Sequence, residues 1–293
     1  MCRGSTAWSI APGLAEAATL IIGQDAKSGE DGKLPGDRGL ELHPSENPAP
    51  GTVTPPCAFS DFCNTKRHSY SFSDLYWENT PPTRMKGFAR LESDLAHTIR
   101  RLYERGLVSG IGGNASVLLP SGNAILITPA GYFKGGVAEG DLVRVSLQGK
   151  VLGKGKPSSE LATHIEAYRV RNDVRAVVHG HPPTAVALVT AGVSILPMTP
   201  EHAALIRDLE IVDFALPGEK GAVAVKDRLK TCDLVGIKNH GFFSLGKDLH
   251  EAASRLEVIE ESAKICFTMR QAGRVSALGE ADVKEIRDVY GRE

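Results

Sequence analysis

The sequence predicts an α/β domain built around a largely antiparallel sheet, and three observations predict it. Short β-branched runs are joined in pairs by tight-turn residues, the mark of hairpins. Amphipathic helical stripes are interleaved with those runs rather than gathered at one end. The composition, with 42% apolar and 24% charged residues over 293 positions, is that of a chain able to bury a substantial core.

Taken in order, the first regular element is a helix from Lys86, with Phe88, Leu91, Leu95, Ile99 and Leu102 on one stripe. Gly110, Gly112 and Gly113 end it. Asn114–Leu119, the turn Pro120-Ser121-Gly122-Asn123 and Ala124–Thr128 read as a hairpin. Leu142–Leu147, Gln148-Gly149-Lys150 and Val151–Leu152 read as a second. A helix over Glu160–Arg171 follows, with a serine of Ser158-Ser159 as its N-cap. Val174–His179 is a strand. Pro182-Pro183-Thr184 opens a helix to Ala191, because a proline in the first turn forfeits no helical bond. Ser194–Met198 and Ile211–Leu216 are strand candidates, Lys220–Lys230 is a helix, and Leu234–Lys238 pairs with Gly241–Leu245. The longest helix spans Leu249–Ala272, with Leu249, Ala252, Leu256, Ile259, Ala263 and Cys266 on one face. A last helix covers Ala281–Tyr290.

The first 85 residues have a different character. They hold nine of the 17 prolines and eight of the 31 glycines, and their net charge is -3 against +2 for the remainder. Residues 23–58 show no sustained period, and the aromatic residues of 59–80 are either a docking segment or a sticky tail. We therefore expect a disordered N-terminal extension over 1–85 and a single domain over 86–293, with Met85 a candidate natural start. Residues 1–22 match a secretory signal poorly, since Arg3 is their only basic residue and Pro12, Gly13 and Glu16 interrupt the apolar run. No apolar run reaches membrane-spanning length. The five cysteines Cys2, Cys57, Cys63, Cys232 and Cys266 fit neither a zinc ribbon nor a disulfide framework, which suits a reducing, cytoplasmic setting. The overall charge of -1 argues against a general nucleic-acid binder, which needs a basic footprint.

Three histidines stand out, either as metal ligands or as a spacing that arises by chance. His179-Gly180-His181 ends a strand, so residues at i and i+2 put both imidazoles on one face. Asn239-His240-Gly241 ends another, and a third imidazole there would complete a metal set with an open position. Glu160 follows Pro157-Ser158-Ser159 at a helix start. That start is either an anion site or a plain cap with a dipole-compatible acid. Gly112-Gly113-Asn114 and Thr128-Pro129-Ala130-Gly131 are turns that could present N–H groups to a phosphate or simply reverse the chain. His164 is a packing or supporting residue.

In order, Gly113-Asn114-Ala115-Ser116, Thr128-Pro129-Ala130-Gly131, Lys156-Pro157-Ser158-Ser159-Glu160, His179-Gly180-His181 and Asn239-His240-Gly241 resemble the motifs of the class II aldolase/adducin family, across about residues 86–275. The resemblance implies a three-layer α/β/α domain around a mainly antiparallel sheet, assembled as a homotetramer with active sites near subunit interfaces. It implies one divalent metal, Zn2+, on His179, His181 and His240, with Glu160 as the acid/base. It also implies a substrate phosphate held by Asn114, Thr128, Gly131, Ser158 and Ser159. The activity implied is cleavage of a phosphorylated ketose to dihydroxyacetone phosphate and an aldehyde through a metal-stabilised enediolate. A related sugar-phosphate dehydratase, an epimerase or a 3-oxo-acid decarboxylase shares that chemistry. Epimerase members carry Asp where this chain has Glu160, and adducin-like scaffolds lack the complete histidine set. The family's interface tyrosine has no counterpart here, so Glu201, His202 and Tyr290 are candidates for protonating the departing aldehyde.

Overall fold

The structure, a computed structural model, describes residues 87–290. The expected extension over 1–85, its aromatic segment, Met85 and the cysteines Cys2, Cys57 and Cys63 lie outside the described residues. Helix α1 (Phe88–Glu104) buries Leu95, Ala96, Ile99 and Leu102, the stripe its periodicity dictates. Strands β1 (Asn114–Leu118) and β2 (Ala124–Ile127) form the first hairpin, with Ser116 opposite Ile127. Gly122 takes the positive φ of 71° that the reversal requires. Strand β3 (Val143–Ser146) pairs antiparallel with β2, but its expected hairpin partner is reduced to one bridge, Val145 with Val151. Residues 151–156 are exposed, so no core face holds a longer strand there.

Helix α2 (Leu161–Val170) starts one residue later than expected, and its N-cap is Glu160 rather than a serine. The Ser158 hydroxyl instead accepts from Glu160 N, and the Glu160 side chain is drawn away from the helix end. Strand β4 (Ala176–Gly180), helix α3 (Pro183–Thr190) and strand β5 (Leu209–Val212) follow. Between the last two, Ser194–Met198 is irregular, not a strand. Pro197 has no N–H for a ladder, and its carbonyl accepts from Leu278 N instead. A short helix, α4 (Pro200–Leu205), goes beyond the sequence expectation; Thr199 caps it by accepting from His202 N. Helix α5 (Glu219–Leu229), strands β6 (Leu234–Ile237) and β7 (Gly241–Gly246), and helices α6 (Leu249–Gln271) and α7 (Glu280–Tyr290) complete the chain.

The seven strands run β3-β2-β1-β4-β7-β6-β5, antiparallel throughout except for the parallel pair β5–β6. Alternation across β4 and β7 divides the core in two. Val178 and Phe242 pack under α1, α3 and α6; Val177, Phe243 and Leu245 pack under α2 and α5. The adjacent, fully buried Phe242 and Phe243 thus anchor opposite layers, each worth about 1.5–3 kcal/mol of burial. The result is the expected three-layer α/β/α arrangement. Among the described residues no helix is long and apolar enough to cross a membrane.

Candidate metal centre and active site

The centre of the sheet positions the site. His179 projects from β4 onto the Phe243 ring of β7, stacked with centroids 4.2 Å apart. Its Nδ1 lies 3.0 Å from the Phe242 carbonyl. A carbonyl only accepts, so Nδ1 carries the hydrogen and Nε2 keeps its lone pair. That Nε2 lies 3.0 Å from His181 Nε2 and 3.0 Å from Glu160 Oε2. His181 stands just past β4 on the same face, its ring centroid 4.8 Å from that of His179.

His240 comes from the turn between β6 and β7. Asn239 adopts φ 55°, the only positive value among the described non-glycine residues, and its N–H donates to Thr190 Oγ1 at 2.8 Å. Asparagine tolerates that conformation better than most residues. Gly241 must be glycine, because a Cβ would strike Gly180 O and come within 2.5 Å of His181 Cδ2. The close approach of these two backbones brings the third imidazole to the other two. The ligand atoms of His179, His181 and His240 all fall within 4.8 Å of one another.

Burial drives the pKa of His179 well below its ordinary value, and the neighbouring His181 and His240 add to the shift. Burial lowers His181 as well, again with help from His240. His179 and His181 are thereby biased toward the neutral form, the one that binds a metal. The donor set fits one divalent ion with coordination positions left over.

Glu160 is buried beside this set, with Oε1 3.5 Å from His240 Nε2. A polar chain orients it from below. The Tyr168 and Ser116 hydroxyls lie 2.7 Å apart, and Ser116 Oγ lies 2.7 Å from His164 Nδ1. His164 Nε2 lies 2.5 Å from Asn114 Oδ1, and Asn114 Nδ2 donates to Glu160 Oε2 at 2.8 Å. Because Asn114 Oδ1 can only accept, His164 Nε2 carries the hydrogen and its Nδ1 accepts from Ser116. Burial pushes His164 down to about 3, which preserves that neutral tautomer. Burial likewise raises the Tyr168 phenol, keeping it protonated.

The residues expected to hold phosphate are knit together. Thr128 O accepts from Ser158 N at 3.2 Å, and Ala130 N donates to Lys156 O at 2.9 Å. Gly131 (φ 73°) and Ser159 are exposed, whereas Thr128 and Ser158 are buried. Thr128 Oγ1 accepts from Ala115 N. Asn114 is committed to Glu160 and His164, not open to solvent. His181 and His240 also line a cavity of about 500 Å³, together with Pro183, Val186, Thr190 and Asn239.

Of the candidates for the departing aldehyde, His202 is buried on α4 with Nδ1 2.8 Å from Ser262 Oγ, and burial followed by Arg287 pushes its pKa to about 4. Glu201 lines a separate cavity of about 400 Å³ with Arg105, Glu257 and Lys264. Tyr290 ends α7. None of the three is part of the histidine cluster. Ser116 closes the Gly113–Ser116 motif, but neither it nor Tyr168 or Phe243 has a site role legible in the sequence, where their spacing on a strand or helix looks like ordinary core. It also passes over the buried Lys134.

The family model "Class II Aldolase and Adducin N-terminal domain" matches residues 93–267. An L-fuculose phosphate aldolase of Methanocaldococcus jannaschii is 39% identical over 166 residues, 57% of this chain and 90% of that protein. A 3-oxo-tetronate 4-phosphate decarboxylase of Haemophilus influenzae is 32% identical over 195 residues, 64% of this chain and 92% of that protein. Among solved structures, an L-fuculose-1-phosphate aldolase of Thermus thermophilus superposes with a TM-score of 0.57 at 31% identity, covering 65% of this chain and all of that one. Another L-fuculose 1-phosphate aldolase gives 0.64 at 26% identity, covering 69% of this chain and 96% of that one.

Proposed function

The chain belongs to the class II aldolase and adducin family, and from that premise we propose that it is a metal-dependent aldolase cleaving a phosphorylated ketose to dihydroxyacetone phosphate and an aldehyde. The observation that carries this reading is the meeting of three imidazoles, their ligand atoms within 4.8 Å of one another, with one buried carboxylate 3.0 Å from His179 and 3.5 Å from His240. An adducin-like scaffold has no use for such a set.

We assign His179, His181 and His240 as metal ligands and Zn2+ as the ion. When bound, a divalent ion there supplies Lewis acidity for negative charge that develops on ketose oxygens. Glu160 is the acid/base. Its Oε2 is held by the Asn114 amide, so Oε1 is the oxygen left to take and return a proton. Thr128, Gly131, Ser158 and Ser159 form the phosphate end, and Asn114 stands between that end and the carboxylate. Gripping the phosphate positions the scissile bond through interactions remote from it. A homotetramer in the cytoplasm is part of the same reading, supported by the likeness to the fuculose phosphate aldolases.

The decarboxylase relative supports a second reading, loss of CO2 from a phosphorylated 3-oxo acid on the same residues. A panel of phosphorylated ketoses and 3-oxo acids, each assayed with and without a chelator, separates the two. Chelator-sensitive release of dihydroxyacetone phosphate and aldehyde is expected. Release of CO2 from a 3-oxo acid alone replaces the first reading with the second, and turnover indifferent to chelation removes both.

A further inference from the structure

Among the described residues, Lys134 is a buried cation that the function above leaves unused. It opens a short 3-10 turn, Lys134–Gly136, and is only 2% exposed. Its backbone is pinned from two sides. Lys134 N donates to Gly110 O at 2.8 Å, and the adjoining Phe133 ring packs edge-on against Tyr103 with centroids 4.9 Å apart. Gly135 lies so close to that ring that a Cβ would sit 2.7 Å from Tyr103 Cδ1. The side chain therefore has little freedom to swing out to water.

The ammonium donates to Pro129 O at 3.2 Å and to Tyr132 O at 3.3 Å. Both acceptors are neutral carbonyls, and an ammonium has three N–H groups to place. Among the described residues no carboxylate forms an ion pair with it, and burial alone pushes its pKa below the ordinary lysine value. An uncompensated buried charge is costly and is ordinarily paired. Lys134 breaks that rule directly behind the Thr128-Pro129-Ala130-Gly131 turn, whose Gly131 is exposed and whose Thr128 and Ala130 backbones bond Ser158 and Lys156.

We propose that Lys134 is a positioning residue for the anionic end of the substrate, a fixed positive charge behind the 129–132 turn whose missing counter-ion is the substrate phosphate. The inference rests on the reading that phosphate docks at this turn. It adds that the turn is electropositive by construction, and that binding an anion repays a desolvation cost present in the free protein. The carbonyl contacts set where the charge sits, and the charge sets how strongly the turn attracts a dianion.

The experiment titrates inorganic phosphate into the metal-loaded full chain by calorimetry, for the wild type, Lys134→Arg and Lys134→Met, at several salt concentrations. Lys134→Met should weaken phosphate about tenfold and flatten the salt dependence, while Lys134→Arg stays within about threefold of the wild type. In phosphate-free buffer Lys134→Met should melt at the same temperature or higher, since it removes an unpaired buried charge. Unchanged phosphate affinity in Lys134→Met overturns the inference. So does a fall in its phosphate-free melting temperature, or failure to fold, because either makes the lysine a structural brace. If the wild type itself takes up no phosphate, the phosphate end of the proposed function fails first, and this inference with it.

Discussion

Two buried polar clusters lie on the same sheet and are built on opposite principles. The first surrounds Arg255 of α6. Its Nε donates to Leu205 O at 2.8 Å, Nη1 to Leu245 O, and Nη2 to Asp233 at 3.0 Å and Glu251 at 2.9 Å. Arg171 reaches the same Asp233 at 2.9 Å. Opposite charges meet there with their hydrogen bonds satisfied, and the cluster ties α6 to the strands beneath it. The second cluster is the histidine set with Glu160. It gathers like groups, three imidazoles of which two are pushed toward neutrality by burial and then by their neighbours, around a carboxylate whose Oε2 is held by Asn114 and whose Oε1 faces His240. Polar burial is thus stabilising where charges are complementary, and poised for a ligand where they are not.

The sharpest way to break this contrast is one substitution in each cluster. Glu160→Gln should cut turnover by about 10²–10⁴-fold while leaving metal content intact. Its unfolding free energy should be unchanged or higher, because functional sites carry unrelieved polar strain. Turnover assays beside denaturant melts would show it, and retained turnover would strip Glu160 of its role. Arg255→Met should do the reverse. It leaves Glu251 and Asp233 short of a buried partner and should cost about 3–5 kcal/mol of stability, with the kcat of the folded fraction little altered.

Acidification sharpens the comparison further. His164 is lowered to about 3 and His202 to about 4, against an ordinary 6.5. The unfolded chain binds protons on both below pH 6.5, whereas the folded chain does not until near those lowered values. Stability is therefore fully present above about pH 6.5 and falls with pH through the window down to 4 and then 3. The slope is about 1.4 kcal/mol per pH unit for each group. Urea melts of metal-free protein between pH 6.5 and 4.5 measure it. A flat profile would mean that these imidazoles are not held neutral by burial. His179 and His181, also lowered, add to the same slope in the metal-free protein, so His202→Asn should reduce it by no more than the one-group share of about 1.4 kcal/mol per pH unit.

How far the sequence discloses this molecule depends on whether a feature is local. The β1–β2 hairpin is readable because Pro120-Ser121-Gly122-Asn123 is turn chemistry in four consecutive residues. The long helices α1 and α6 are readable because a stripe repeats many times. Helix α4 escapes notice although Thr199 followed by Pro200 is a cap and a first-turn proline, since six residues carry too little periodicity to announce themselves. The irregular 194–198 segment looks like a strand because it is a short apolar run, but only Ile195 of it is buried, and Pro197 is the overlooked clue. At the site, the histidines and Glu160 stand out by type and order. Ser116, Tyr168 and Lys134 do not. A serine in a strand, a tyrosine on an apolar helix face and a lysine just past a turn gain meaning only from what lies across the fold.

The pairing of β4 with β7 carries one further consequence, for the order of events in folding. It sets His179 opposite Phe243, residues far apart in the chain, and the third imidazole arrives only with the turn that precedes β7. Such a contact closes a long loop and is slow to form. The histidine set therefore does not exist until the central strands have met, and an ion bound by it could not act as a nucleus around which the chain gathers. Added metal should leave the refolding rate nearly untouched and lengthen the lifetime of the native state instead, a lock fitted after the door has closed.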